Sequence, residues 1–278
     1  LMLDIADGGY DATLGWTGKP SGTPSFDITP REGRAEEGND DDPLAEGRWS
    51  TLAEHTDRVV EELRAILEGV GGLMMPDADV TSALMSAARF HDVGKGHPVY
   101  RKTITGGKTP PEDAPDGTVW AKSPGEKTRQ RLRYERPGFR HELASALAIL
   151  ETRPEGETPL NDLAAYLAAA HHGKVRMSLR SFPDEKRPPD PASRFARGVW
   201  DGDELPAVSL GGGAGFPGLE LNLSVMELGE GERGPSWTSR TEELLDTFGP
   251  FRLAYLEALL RSADRRASAA ADERGNQR

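Results

Sequence analysis

Six histidines occur in this chain of 278 residues, and five fall into one ordered series: His55, His91-Asp92, His141 and His171-His172. Asp264 closes the series near the C-terminus. Imidazole and carboxylate are the donors of mixed nitrogen and oxygen metal sites, so the residue types alone point to bound cations. The most specific segment is Phe90-His91-Asp92-Val93-Gly94-Lys95, an HD-x-G-K run directly after an apolar helical pattern. Gly94 permits a sharp chain reversal. Lys95 then returns a cation toward the cluster, where it can stabilise a developing phosphate oxyanion.

An aspartate at the end of an apolar stripe costs several kcal/mol to bury unless a metal or a cation offsets it. Asp92 and Asp264 both occupy such positions. Adjacent residues on a helix stand about 100° apart. His171 and His172 therefore converge on one ion only at a helix end, which Gly173 supplies. A lone buried histidine is most simply a satisfied core residue; the joint pattern is what argues for metal. The seven side chains His55, His91, Asp92, His141, His171, His172 and Asp264 exceed what one ion takes. Two ions bridged by Asp92 would use them all. Paired ions about 3.5–4 Å apart are the usual apparatus for phosphodiester hydrolysis, activating a water while neutralising charge on the phosphate.

The elements that must position these groups are mainly helical. Thr51-x-x-Glu54 predicts a capping box, followed by Leu52, Val59, Leu63, Ile66 and Leu67 at helical spacing, with His55 on the Val59 face. A second helix is expected from Asp79 to His91, with Leu84, Ala87 and Ala88 inward. Phe139, Leu143, Leu147 and Leu150 define a third, which holds His141. Thr158-Pro159 opens a fourth, where Leu160, Leu163, Ala164, Leu167, Ala168 and His171 recur. Ser239-x-x-Glu242 is expected to cap another, carrying Leu244, Leu245 and Phe248 until Gly249-Pro250 interrupts it. The last helix carries Leu253, Leu256, Leu260 and Asp264 on one stripe.

Between these, residues 96–137 read mostly as loop. Residues 173–237 read as an insertion in which Val208-Ser209-Leu210 and Leu219–Val225 alternate as strands around the Gly211–Gly215 turn. Residues 1–25 suggest a short β-hairpin or two, and 26–47 a proline-, glycine- and acid-rich linker. The expected organisation is a β-rich segment with acidic linker over 1–47, a helical domain over 48–270, and a disordered tail over 271–278. No internal repeat is evident.

Composition sets outer limits. The chain has no cysteine, which excludes disulfides, iron–sulfur clusters and thiolate zinc. No apolar run approaches the roughly 18 residues that cross a bilayer, and nothing at the start resembles a signal peptide. A soluble, cytoplasmic protein without membrane association is expected. The opening Leu1-Met2-Leu3-Asp4-Ile5 suggests a piece of a longer polypeptide. Net charge of −12 argues against broad, nonspecific nucleic-acid binding. Two stretches are nevertheless basic. One holds Lys122, Lys127, Arg129, Arg131, Arg133, Arg136 and Arg140; the other runs from Lys174 to Arg197. Both flank ligand candidates, and they either guide a phosphate backbone or form solvated loops.

The set His55, His91-Asp92 and Asp264 resembles the core of the HD-domain phosphohydrolases. With His141 and His171-His172 added, the chain resembles the HD nuclease domain of the type I CRISPR-associated nuclease-helicase, over about residues 50–270. Its most specific parts are HD-x-G-K and His171-His172-Gly173. The resemblance implies an HD-domain helical bundle with β-hairpin insertions and two divalent transition metal ions. Mn, Fe, Co or Ni are the expected ions, with Mg or Zn as alternatives. It implies cleavage of single-stranded DNA after an RNA-guided surveillance complex has opened the target. By that resemblance His55, His91, Asp92 and Asp264 hold one ion, and Asp92, His141, His171 and His172 the other. Asp92 and Lys95 would be the catalytic pair.

No Walker A or helicase motif occurs here, so unwinding falls to a helicase domain on the same or a separate chain. Gly8-Gly9-Tyr10 and the acidic linker would suit a variant in which this domain follows the helicase. His97 has no place in the ligand scheme and reads as a loop histidine or one that supports the ligands. Three rival readings are weighed against the nuclease. A cyclic-dinucleotide phosphodiesterase of HD type would carry Gly-Tyr-Pro after the paired histidines, where this chain has Gly173-Lys174-Val175-Arg176. A nucleotide phosphohydrolase needs one metal and fewer histidines. A non-catalytic recruitment module predicts a missing ligand, and none is missing.

Overall fold

Helix α1, Leu52–Val70, begins where the capping box predicts it. Thr51 Oγ1 accepts from the Glu54 amide and the Glu54 carboxylate accepts from the Thr51 amide, both at 3.1 Å. The computed structural model describes residues 48–71, 76–124, 134–152, 159–231 and 233–275, with short strands at 10–11, 15–16 and 44–45. It divides into two units, residues 1–36 and 37–278. In the first, Tyr10–Asp11 pairs antiparallel with Gly15–Trp16, a short hairpin of the kind expected there. Most of the acidic linker, and Lys127, Arg129, Arg131 and Arg133, lie outside the described residues.

The second unit is mainly α. Helix α2 (Ala78–Phe90) is capped by Asp77, which accepts from the Val80 amide at 2.9 Å. Helices α4 (His141–Glu151) and α5 (Pro159–Ala170) follow the predicted periods. Each of α2, α4 and α5 buries a run of alanines, and α5 packs against both of the others. Small side chains at a contact shorten the distance between helix axes, so the ends of these helices meet. Leu84, Leu143, Leu147, Leu163 and Leu167 of these helices, and Leu63 of α1, are fully buried. Each contributes roughly 1.5–3 kcal/mol by leaving water.

Helix α6, Trp237–Gly275, kinks at Gly249-Pro250 as expected. Its cap is Ser236, whose Oγ accepts from the Ser239 amide at 3.1 Å, rather than Ser239 itself. Beyond the kink it buries Leu253, Leu256, Leu260, Ala263, Asp264 and Ala267 while packing on α1 and α5. The backbone stays helical to Gly275, past the start of the expected tail at 271; Ala269, Ala270 and Ala271 are strong helix formers. Among the described residues no helix is long and apolar enough to cross a membrane.

Two local expectations are refined. The described part of 96–137 is mostly loop as expected, but it also holds helix α3, Pro98–Thr105, and the strand Trp120–Pro124, which the sequence reading does not anticipate. Pro98 sits at the first helical turn, where a missing amide costs nothing, and His97 caps it by accepting from the Val99 amide. The strand lies between Leu44–Ala45, parallel, and Ser50–Thr51, antiparallel. In the insertion, Val208–Gly211 pairs with Ala214–Phe216, not with the 219–225 segment. Only Leu219–Glu220 is strand there, paired with Glu204–Leu205. Pro217-Gly218 ends the first pairing because proline cannot donate to a ladder.

His97 joins the insertion to the core. Its Nδ1 accepts from Val99, which leaves the proton on Nε2, 3.2 Å from Asp203 Oδ2. Asp203 also accepts both arms of the Arg136 guanidinium, which stacks 3.6 Å from the Trp200 ring. Burial pushes the Asp203 carboxyl up, but His97, Arg136 and the Trp200 amide outweigh it and hold the group below its ordinary 3.8. A depressed carboxyl stabilises the fold fully above its unfolded value and loses that contribution as pH falls through the lower folded value. Asp203→Asn is expected to cost about 1–2 kcal/mol at neutral pH, since the site is partly open to water. The gap should close on acidification below pH 3.8, as read by urea unfolding at several pH values.

Candidate metal centre

Five separate elements deliver the seven ligand candidates to one place. His55 lies in the second turn of α1 and Asp264 midway along α6 beyond its kink. His91 caps the C-terminus of α2, and Asp92 follows at the start of a 3-10 turn, Val93–Gly96, that carries Lys95. His141 is the first residue of α4. His171 and His172 follow the last turn of α5, where Gly173 adopts a left-handed φ of 72° and reverses the chain. That ending solves the divergence of adjacent helical side chains.

Asp92 stands at the middle, and its two oxygens face different histidines. Oδ2 lies 3.2 Å from His55 Nε2 and 3.3 Å from His91 Nε2. Oδ1 lies 3.1 Å from His141 Nε2 and 3.9 Å from His171 Nε2. His172 Nε2 is 3.1 Å from His141 Nε2. The ligand atoms fall into three overlapping sets, each within 4.8 Å: Asp92, His141, His171 and His172; His55, His91 and Asp92; and His91, His171 and Asp264. The first is the second expected ligand group. Asp264 stands between the groups: its Oδ1 is 3.1 Å from His55 Nε2 and 4.0 Å from His91 Nε2.

Two rings are fixed from behind. His91 Nδ1 donates to the Ala88 carbonyl at 2.9 Å and His171 Nδ1 to Ala168 at 2.6 Å, since a carbonyl can only accept. Each Nε2 is thereby left to offer its lone pair to the centre. The Nε2 atoms of His55, His91 and His171 and Oδ1 of Asp92 are buried without an aligned hydrogen bond. Buried polar atoms are seldom left so. Lone pairs converging on shared points are what divalent ions would satisfy, and the donor set fits them.

The charges are tightly coupled. Burial alone would raise the Asp92 carboxyl, but His91, Lys95 and the adjacent His141 and His55 rings hold it well below the ordinary range. Asp264 is likewise held low, chiefly by His55, against burial. Burial works against a proton on His91, yet neighbouring Asp92 raises it overall. His171 is pushed down to about 3, first by burial and then by His91. It stands neutral and ready to ligate at physiological pH.

Lys95 Nζ sits 2.6 Å from Asp92 Oδ2 and is buried with it. It faces the central carboxylate rather than an open cleft. Among the described residues of the first basic stretch, Lys122 and Arg140 are buried, and Arg136 is held by Asp203. Glu142 was not singled out from the sequence. Its buried carboxylate lies 3.6 Å from His141 Nδ1, behind the ligand ring, and its position directly after a ligand histidine was the available signal.

The chain matches the family model described as Cas3, HD domain, over residues 43–270. No curated protein and no solved structure matches it. The match spans most of the chain and covers every residue of the His/Asp cluster described above. The chain therefore belongs to the Cas3 HD-domain family, metal-dependent hydrolases of CRISPR systems.

Proposed function

We propose that this domain hydrolyses phosphodiester bonds of single-stranded DNA, acting in CRISPR interference after a target-recognition complex has exposed the strand. A helicase domain and an RNA-guided surveillance complex are its partners in this reading. The observation that carries it is the division of Asp92, one oxygen toward His55 and His91 and the other toward His141 and His171. A carboxylate so divided is suited to being shared by two cations. Asp92 with His55, His91 and Asp264 would hold one divalent transition ion, and Asp92 with His141, His171 and His172 the other. Such ions supply Lewis acidity and charge neutralisation at a phosphodiester.

The chain's own groups do the positioning. Ala88 and Ala168 fix the His91 and His171 rings through their carbonyls. Lys95 locks the orientation of Asp92, and its charge is within reach of a phosphate brought up to that carboxylate. Surrounding helices exclude water from all but the His172 side. The test uses closed circular single-stranded DNA with protein stripped of metal and reloaded with Mn²⁺ or Ni²⁺. Metal-dependent linearisation of the circle is expected, with little cutting of a relaxed duplex. A fully loaded protein that leaves the circle intact would contradict the proposal.

A further inference from the structure

The cluster is closed on most sides. His55, His91, Asp92, Lys95, His141, His171 and Asp264 are all buried, while His172 is only half-buried. An incoming phosphate therefore has to approach on the His172 side. Helix α6 passes there, and Arg261 stands one turn before Asp264 on it. Arg261 Nη1 would lie 3.9 Å from a Cβ built on Gly173, the residue after His172.

Arg176 reaches the same glycine from the other direction, with Nη2 3.8 Å from that Cβ position. It is already engaged, donating to Glu257 Oε2 at 2.8 Å. Arg261 is different. Its Nε is buried without a hydrogen-bond acceptor, and it forms no ion pair or hydrogen bond among the described residues. A partly buried guanidinium without a counter-charge is costly. Its planar fork matches two oxygens of a phosphate.

We propose that Arg261 is the phosphate-binding residue of this centre, donating to a non-bridging oxygen of the phosphodiester as it enters past His172. The proposal rests on reading the centre as a phosphodiesterase. It is tested on manganese-loaded protein by calorimetric titration with inorganic phosphate, alongside hydrolysis of bis(p-nitrophenyl) phosphate. Arg261→Ala is expected to weaken phosphate binding and to lower kcat/KM by about tenfold to a hundredfold, the usual effect of losing a charge-assisted bond. Bound manganese should stay as in wild type and the thermal midpoint should not fall, an outcome that a merely structural role would not give. Phosphate affinity within about twofold of wild type would overturn the proposal, as would wild-type protein that binds no phosphate. If wild type hydrolyses neither the small diester nor DNA while Arg261→Ala still loses phosphate, the nuclease reading fails and the anion site stands. Should the alanine variant fold poorly or load less manganese, Arg261→Gln, which keeps the aliphatic stem, decides by the same criterion.

Discussion

Asp92→Asn is expected to lower phosphodiester cleavage by at least about a thousandfold, since the carboxylate addresses both histidine sets and no neighbour can replace it. The amide keeps the shape of the side chain and removes its charge. Oδ2 faces His55, His91 and Lys95, and Oδ1 faces His141 and His171, so both groups lose their shared anion together. Bound manganese, measured by atomic emission, should fall for both sites rather than for one. His55→Ala is the contrast, because it strips only the set on the Oδ2 side. The metal-free protein should suffer too. Lys95 would remain buried without its partner, and breaking a buried ion pair from one side costs about 3–5 kcal/mol. A variant with full cleavage and unchanged manganese would sink the role of Asp92 as the bridge.

The cluster was legible before the fold because of which residues it uses. Histidine is scarce in this chain, and His55 and Asp264 sit on apolar stripes where an unpaired polar group would be penalised. Helical periodicity then placed α1, α2, α4 and α5 to within a residue or two, although α4 is buried on every side from His141 to Leu150. Helix α3 was missed because the glycines and prolines on either side dominate its short span, although Pro98 after a capping histidine is a start signal rather than a break. Ser236 and Ser239 are both plausible caps by type; only the observed bond to the Ser239 amide separates them. The insertion was harder still, because pairs two or three residues long are decided by turn chemistry at Pro217-Gly218 more than by alternation.

Long-range contacts between polar residues left no trace in local pattern. His97 and Asp203 are 106 positions apart, from their numbers, and nothing near either predicts the other. The same holds for Arg261 and Gly173, which meet because α5 and α6 pack together. Arg261 was within reach of a different argument. It is three residues before Asp264 on a helix, hence on nearly the same face as a proposed ligand. The stretch 122–140 reads in sequence as either a phosphate guide or a solvated loop; among its described residues Lys122 and Arg140 are instead buried, a fact that charge counted along the sequence does not carry.

Gly94→Ala is expected to cost about 3 kcal/mol or more of stability and to separate Asp92 from His141, because the position has no room for a methyl group. A Cβ there would overlap the His141 carbonyl oxygen and approach Ala144 Cβ and the Ser145 amide to 2.9 Å. The obstruction is the backbone of the first turn of α4, which cannot rotate away as a side-chain tip can. The approach is also bonded: the Gly94 amide donates to Ser145 Oγ at 2.9 Å, and that hydroxyl donates to the His141 carbonyl at 2.9 Å. Lifting the 3-10 turn would carry Asp92 and Lys95 away, and fraying α4 would carry His141 away. Either breaks the 3.1 Å contact between Asp92 Oδ1 and His141 Nε2. Urea unfolding and manganese titration should therefore fall together. Gly96→Ala, two residues on, is the control. Its Cβ would meet Val208 Cγ1 at 2.7 Å, the end of a side chain that can shift, so a cost nearer 1 kcal/mol and unchanged metal binding are expected. Equal losses in the two variants would mean that the turn's close approach to α4 is not what holds His141 against Asp92.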